Sequence, residues 1–185
     1  MMRLVLLMLL LCAPVALAAT PGEVQVGETL REATMQGLNG PPRKLSEFRG
    51  RPLLINVWAS WCGPCRSEMA SLEHLAWMDA AASFTVIGIS TDDYPENASG
   101  ALKASNATIP HFIDSKLQLE NMLGASHLPL TVLVDSDGRV LKKIYGARAW
   151  DSPQALQLIA ETFGANARLS DDAPPESADR STKSQ

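Results

Sequence analysis

The run Leu53-Leu54-Ile55-Asn56-Val57-Trp58, followed by Ala59-Ser60-Trp61-Cys62-Gly63-Pro64-Cys65 and then Arg66 to Ala82, decides how this chain folds. Its first six residues are almost all apolar, the pattern of a strand buried on both faces. From Arg66 onward the stretch is helix-like, with Cys65, Met69, Leu72 and Ala76 at i, i+4, i+7 and i+11 on one core-facing stripe. The two cysteines therefore stand where a strand gives way to a helix. Unpaired N–H groups at a helix N-terminus favour negative charge and so stabilise the thiolate, the form of cysteine that reacts. Two thiols at that junction point to two-electron thiol–disulfide chemistry.

The N-terminus reads as an export signal. Met1-Met2-Arg3 precedes the apolar run Leu4 to Leu11, and Ala16-Leu17-Ala18 supplies a small-x-small cleavage site. The run is shorter than the roughly 20 residues a membrane span needs. Cleavage is expected after Ala18, with an uncleaved anchor as the alternative. It removes Cys12 and leaves one close cysteine pair in an oxidising compartment. Structural staples would call for several scattered cysteines, so a single pair favours redox use. A zinc site needs two more ligands, and His74, His111 and His127 form no such pattern. No metal or other cofactor is expected. The net charge is −4 and no basic cluster stands out, which leaves nucleic-acid binding without support. Residues 19–168 suffice for one domain, and 169–185 read as a polar, disordered tail.

Short strands or loops are expected over Val24–Arg31 and Ala33–Leu38, with a helical turn from Ser46 through Phe48. A second buried strand spans Phe84–Ser90, and helices follow over Glu96–Ser105 and Leu117–Leu123, the latter closed by Gly124. Leu130–Val134 and Val140–Tyr145 are joined by Asp135-Ser136-Asp137-Gly138, a hairpin signal. Ser152 caps a last helix that opens on Pro153 and ends near Gly164. These elements predict an α/β domain, a mixed sheet with helices on both faces.

The stretch Asn56 to Met69, together with Leu128-Pro129-Leu130-Thr131 and Val134-Asp135-Ser136-Asp137-Gly138, resembles the thioredoxin superfamily and, more closely, its exported TlpA/ResA branch. The resemblance spans roughly Val24 to Phe163. It implies a thioredoxin fold with an N-terminal extension and one modest central insertion.

Cys62 is the expected attacking thiol and Cys65, on the core stripe, the resolving one. Proline fits the first helical turn at no hydrogen-bonding loss, and by removing an amide at position 64 it leans the pair toward a reductant. The resemblance assigns Pro129 as the cis-proline facing the disulfide, with the Leu128 backbone pairing with an extended substrate and Trp61 exposed beside it. Thioredoxins proper carry a buried acid where this chain has Asn56, an amide read here as a link between strands. Glu68 matches a ResA-like glutamate associated with acid–base behaviour and substrate recognition. Its other reading is a carboxylate that complements the helix dipole.

The resemblance implies disulfide-containing protein clients, apocytochrome c among them, a DsbD- or CcdA-like membrane electron donor and a periplasmic home. A monomer is expected because no coiled coil or exposed apolar helix stands out in the sequence. The Gly-Ala-Pro-Glu segment of the CcmG type is replaced by His127-Leu128-Pro129-Leu130. Three other functions use the same residues differently: an oxidant or isomerase, a peroxidase (opposed by Ala59 where a threonine is usual), and a Sco-like copper or haem chaperone, whose cysteines are spaced wider.

Overall fold

The computed structural model describes residues 21–171. The expected signal peptide, and the tail beyond residue 171, lie outside the described residues. Eleven strands and helices follow in the order β1 (Thr34–Gly37), β2 (Arg43–Lys44), β3 (Leu53–Trp58), α1 (Gly63–Trp77), β4 (Thr85–Ser90), α2 (Pro95–Ala104), β5 (His111–Ile113), α3 (Gln118–Leu123), β6 (Leu130–Val134), β7 (Val140–Tyr145) and α4 (Pro153–Asp171). The seven strands form one sheet in the order β2-β1-β5-β4-β3-β6-β7. β3–β4 and β4–β5 are parallel, while β3–β6, β6–β7, β1–β5 and β1–β2 are antiparallel. Among the described residues no helix is long and apolar enough to cross a membrane.

Strand alternation distributes the core. Leu53, Ile55 and Val57 of β3 pack with Leu130, Val132, the N-terminal segment and α3. Leu54, one residue out of phase, packs with Leu133 against Leu72 and Leu75 of α1 and Ala155 and Ile159 of α4. Asn56 and Thr131, direct partners across β3 and β6, share that second phase and so face α1. The pleat thus points the one polar side chain of β3 at the helix that follows the cysteines.

Two expectations shift, and one strand is new. α1 ends at Trp77, and a 3-10 turn covers Asp79–Ser83 where the sequence pattern predicts helix as far as Ala82. The Arg51 guanidinium donates to the carbonyls of Ala82 and Phe84, at 2.5 and 3.2 Å, and draws that segment onto the sheet. α4 passes Gly164 and reaches Asp171, into the stretch read as tail. An interior glycine costs a helix only about 1 kcal/mol relative to alanine, too little to end it by itself. β5 carries no strand signal in the sequence. It has three residues and exists because β4 and β1 pair with it on either side.

β5 also buries an unusual group. The His111 imidazole is 3 % exposed, lies over Gly88 of β4 and meets Trp58 edge-on, with ring centroids 5.5 Å apart. A Cβ on Gly88 would stand 2.1 Å from His111 Nδ1, so only glycine leaves room for the ring. Neither imidazole nitrogen has a hydrogen-bond partner, and the Glu73 carboxylate stays 4.0 Å away. Burial lowers the His111 pKa from 6.5 to about 4. The unfolded chain therefore takes up a proton at a pH where the folded one refuses it. Stability present above pH 6.5 is lost as pH falls toward 4, by about 3 kcal/mol in full. Urea unfolding at pH 7 and pH 4.5 should show a shallower acid loss in a His111→Met protein than in the parent. Equal losses in the two would refute this account.

Candidate active site

Cys62 is the N-cap of α1, in extended backbone, and its sulfur accepts the backbone N–H of Cys65 at 3.2 Å. Pro64 sits in the first helical turn, where a missing N–H leaves no bond unmade. The two cysteines form a disulfide with Cα atoms 5.3 Å apart. Cys62 keeps 6 % of its surface exposed and Cys65 none, so an incoming sulfur can reach Cys62 alone. Trp58, Met69, Ala98 and Leu102 pack beneath the pair. When the disulfide opens, the Cys65 amide and the helix N-terminus face the Cys62 sulfur, and both favour its anionic form.

The Leu128–Pro129 peptide bond is cis, the only one among the described residues. Pro129 is buried and its carbonyl accepts the Gly146 N–H at 2.9 Å, which ties the loop to the end of β7. Leu128 stays partly exposed and packs against the cluster that holds both cysteines. Trp61 is 71 % exposed on the turn just before Cys62. His127 is exposed and bonds to Ser126 next to it, at 3.1 Å.

Glu68 lies one helical turn beyond Cys65 and is 2 % exposed. Its Oε1 accepts Asn56 Nδ2–H at 2.8 Å; its Oε2 accepts the Arg148 N–H and the Trp150 indole N–H, each at 3.0 Å. Asn56 Nδ2 also reaches Thr131 Oγ1 at 3.2 Å, two residues after the cis-proline. One carboxylate thus joins α1 to β3, β6 and the loop after β7. Burial pushes its pKa above the ordinary carboxylate range, against the three hydrogen bonds and the nearby Arg148 charge, which pull it down. Glu68 is thus a buried, hydrogen-bonded carboxyl near the start of α1. Asn56 does link strands, and it also serves as a donor to Glu68.

A family model described as Redoxin matches residues 25–159. The chain belongs to the Redoxin family. It is 29 % identical over 123 residues to the thiol-disulfide oxidoreductase ResA of Geobacillus thermodenitrificans, covering 66 % of this chain and 71 % of that protein. It is 25 % identical over 148 residues to the ResA of Bacillus thuringiensis subsp. konkukian, covering 77 % and 86 %. Among solved structures, a putative thiol:disulfide interchange protein DsbE from Chlorobium tepidum superposes with a TM-score of 0.69 at 26 % identity, over 76 % of this chain and 99 % of that one. This redoxin is accordingly a TlpA/ResA-like member of the thioredoxin superfamily and a thiol–disulfide oxidoreductase.

The structure of this redoxin gathers Cys62, Cys65 and Leu128 into one cluster, buries Glu68 one helical turn beyond Cys65 on α1, and leaves Trp61 exposed on the turn before Cys62. Two contributors carry no local sequence signature. Trp150, 82 positions from Glu68, is fully buried and donates to it. Asp92, 32 positions from Ser60, is 2 % exposed and holds the turn that leads into Cys62. Neither belongs to a motif, although the acidic pair Asp92-Asp93 just after a buried strand is a usable signal.

Proposed function

We propose that this chain is an exported, periplasmic reductase of protein disulfides. The Cys62 thiolate attacks one sulfur of a client disulfide, forms a mixed disulfide and expels the other client sulfur as a thiolate. Cys65, as thiolate, then attacks the Cys62 sulfur. The mixed disulfide breaks, the second client thiolate leaves, and the Cys62–Cys65 disulfide forms. The client gains two electrons and, once its thiolates are protonated, two protons. A membrane donor of the DsbD or CcdA type would return the electrons, and apocytochrome c is one client in keeping with the ResA likeness.

The observation that carries this reading is the accessible Cys62 sulfur capped by the Cys65 amide, over a fully buried partner thiol. It suits an attacker and a resolver with separate tasks. Glu68, held above its ordinary pKa next in line on α1, is suited to take the Cys65 proton during resolution. The amide missing at Pro64 withholds one donor from the thiolate, which leans the pair toward a reducing potential.

Equilibration of the purified protein with dithiothreitol, followed by tryptophan fluorescence, gives its reduction potential. The expected value is near that of thioredoxin-type reductants, about −270 mV. A value near about −120 mV belongs to a strong oxidant and would reverse the proposed direction of electron flow.

A further inference from the structure

We infer that Asp92 is a positioning residue for the attacking thiol, an inference that rests on Cys62 being that thiol. The Asp92 carboxylate is buried at the end of β4, where three donors converge on it. The Ser60 N–H donates to Oδ2 at 2.9 Å, the Ser60 hydroxyl to Oδ1 at 2.5 Å and the Ser90 hydroxyl to Oδ2 at 2.7 Å. The Asp92 N–H returns to Ser90 Oγ at 3.1 Å. A carboxylate is acceptor-only and offers both oxygens to such a set, which no neutral side chain of its size does.

Ser60 lies inside the turn closed by the Cys62 N–H on the Ala59 carbonyl, at 3.1 Å. Two residues earlier, the Thr91 N–H holds the Trp58 carbonyl at 2.9 Å. The chain leaving β3 is thus pinned to the end of β4 first through Trp58 and then through Ser60, before it enters α1. Ser60 is the pin nearer the cysteine, and Asp92 takes both its donors. The register of this turn fixes where the N-cap sulfur stands relative to the Cys65 amide, 3.2 Å away. A carboxylate that holds Ser60, two residues before Cys62, thereby sets the position from which the Cys62 sulfur attacks.

Two variants isolate the anchor from the charge. Asp92→Asn and Asp92→Ala both remove the negative charge. The asparagine keeps the shape, one acceptor for the Ser60 N–H and an amide donor to which the Ser60 hydroxyl can turn its oxygen. The alanine keeps none of this. Two readouts follow in the reduced protein: the Cys62 thiol pKa by thiolate absorbance, and the pH-independent rate constant for attack on a small aromatic disulfide. We expect the alanine variant to have the higher thiol pKa and a rate about tenfold below the asparagine variant, the scale set by a sub-ångström misplacement of a reacting group.

Coincidence of the two variants in both readouts, whatever their melting temperatures, would overturn the inference. If the alanine variant does not fold, Ser60→Ala and Ser60→Thr carry the test, since the threonine keeps the hydroxyl. The alanine should then be the slower, and equality would overturn the inference. Loss of the Cys62 assignment shows up separately, as disulfide attack that survives Cys62→Ser.

Discussion

A Cys65→Ala protein should hold its clients covalently. Cys62 retains its place at the head of α1 and still attacks, but the mixed disulfide has no second sulfur to break it. On a non-reducing gel, incubation with a disulfide-bonded probe such as insulin should give an adduct that dithiothreitol dissolves. Turnover should fall at least about a thousandfold, because an intramolecular group held in place acts at an effective molarity that dilute thiols in solution cannot match. Only Cys62 of the pair keeps any exposed surface, which makes the outcome asymmetric: Cys62→Ser should give neither adduct nor turnover, since Cys65 is fully buried. A Cys65→Ala protein that reduces insulin at the parental rate without an adduct would refute the assigned roles. So would adduct formation through Cys65 in the Cys62→Ser protein.

The parts of this site legible in the sequence are those written in local pattern. The apolar run of β3, the Gly-Pro between the cysteines and the helical stripe after them place the disulfide at a strand–helix junction. The turn residues Asp137-Gly138 likewise mark the β6–β7 hairpin. Period-two alternation on β3 already puts Asn56 on the opposite face from Ile55 and Val57, so its approach to α1 follows from counting. What the alternation does not contain is which long-range partners meet there. Trp150 reaches Glu68 only because the chain after β7 returns to α1, and Asp92 reaches Ser60 only because β4 lies parallel to β3. β5 is silent in the sequence for a related reason: three residues after Pro110 have no period to detect, and neighbouring strands rather than propensity make them a strand. His111 has the same origin, since the gap that admits it is a glycine 23 positions away on another strand. Local chemistry is readable from the chain; the polar contacts that tune it are tertiary.

Removing Glu68 should cost stability in a manner that changes with pH. In Glu68→Ala the Arg148 N–H and the Trp150 indole N–H lose their acceptor inside the protein, and Asn56 keeps only its bond to Thr131. Arg148 is exposed and its N–H can turn to water, whereas the Trp150 indole N–H and one Asn56 amide hydrogen are buried. Each buried donor left unmet costs about 1–3 kcal/mol, so a loss of about 3 kcal/mol is expected in acid, where the parent carboxyl is protonated. Burial raises the folded pKa of Glu68 above its ordinary 4.5. Between that value and the folded pKa the native protein binds more protons than the unfolded chain. The stability linked to Glu68 is therefore complete below pH 4.5 and is lost as pH rises through the folded pKa. The stability gap between parent and Glu68→Ala, taken from urea unfolding of the oxidised proteins, should be widest in acid and narrow toward neutrality. A gap that widens as pH rises would mean that the hydrogen bonds from Asn56, Arg148 and Trp150 outweigh burial and hold the carboxylate ionised. In that case Glu68 would be a fixed anion bracing α1, poorly matched to accepting the Cys65 proton. The direction of that one trend thus separates a bracing charge from a group able to exchange its proton during resolution.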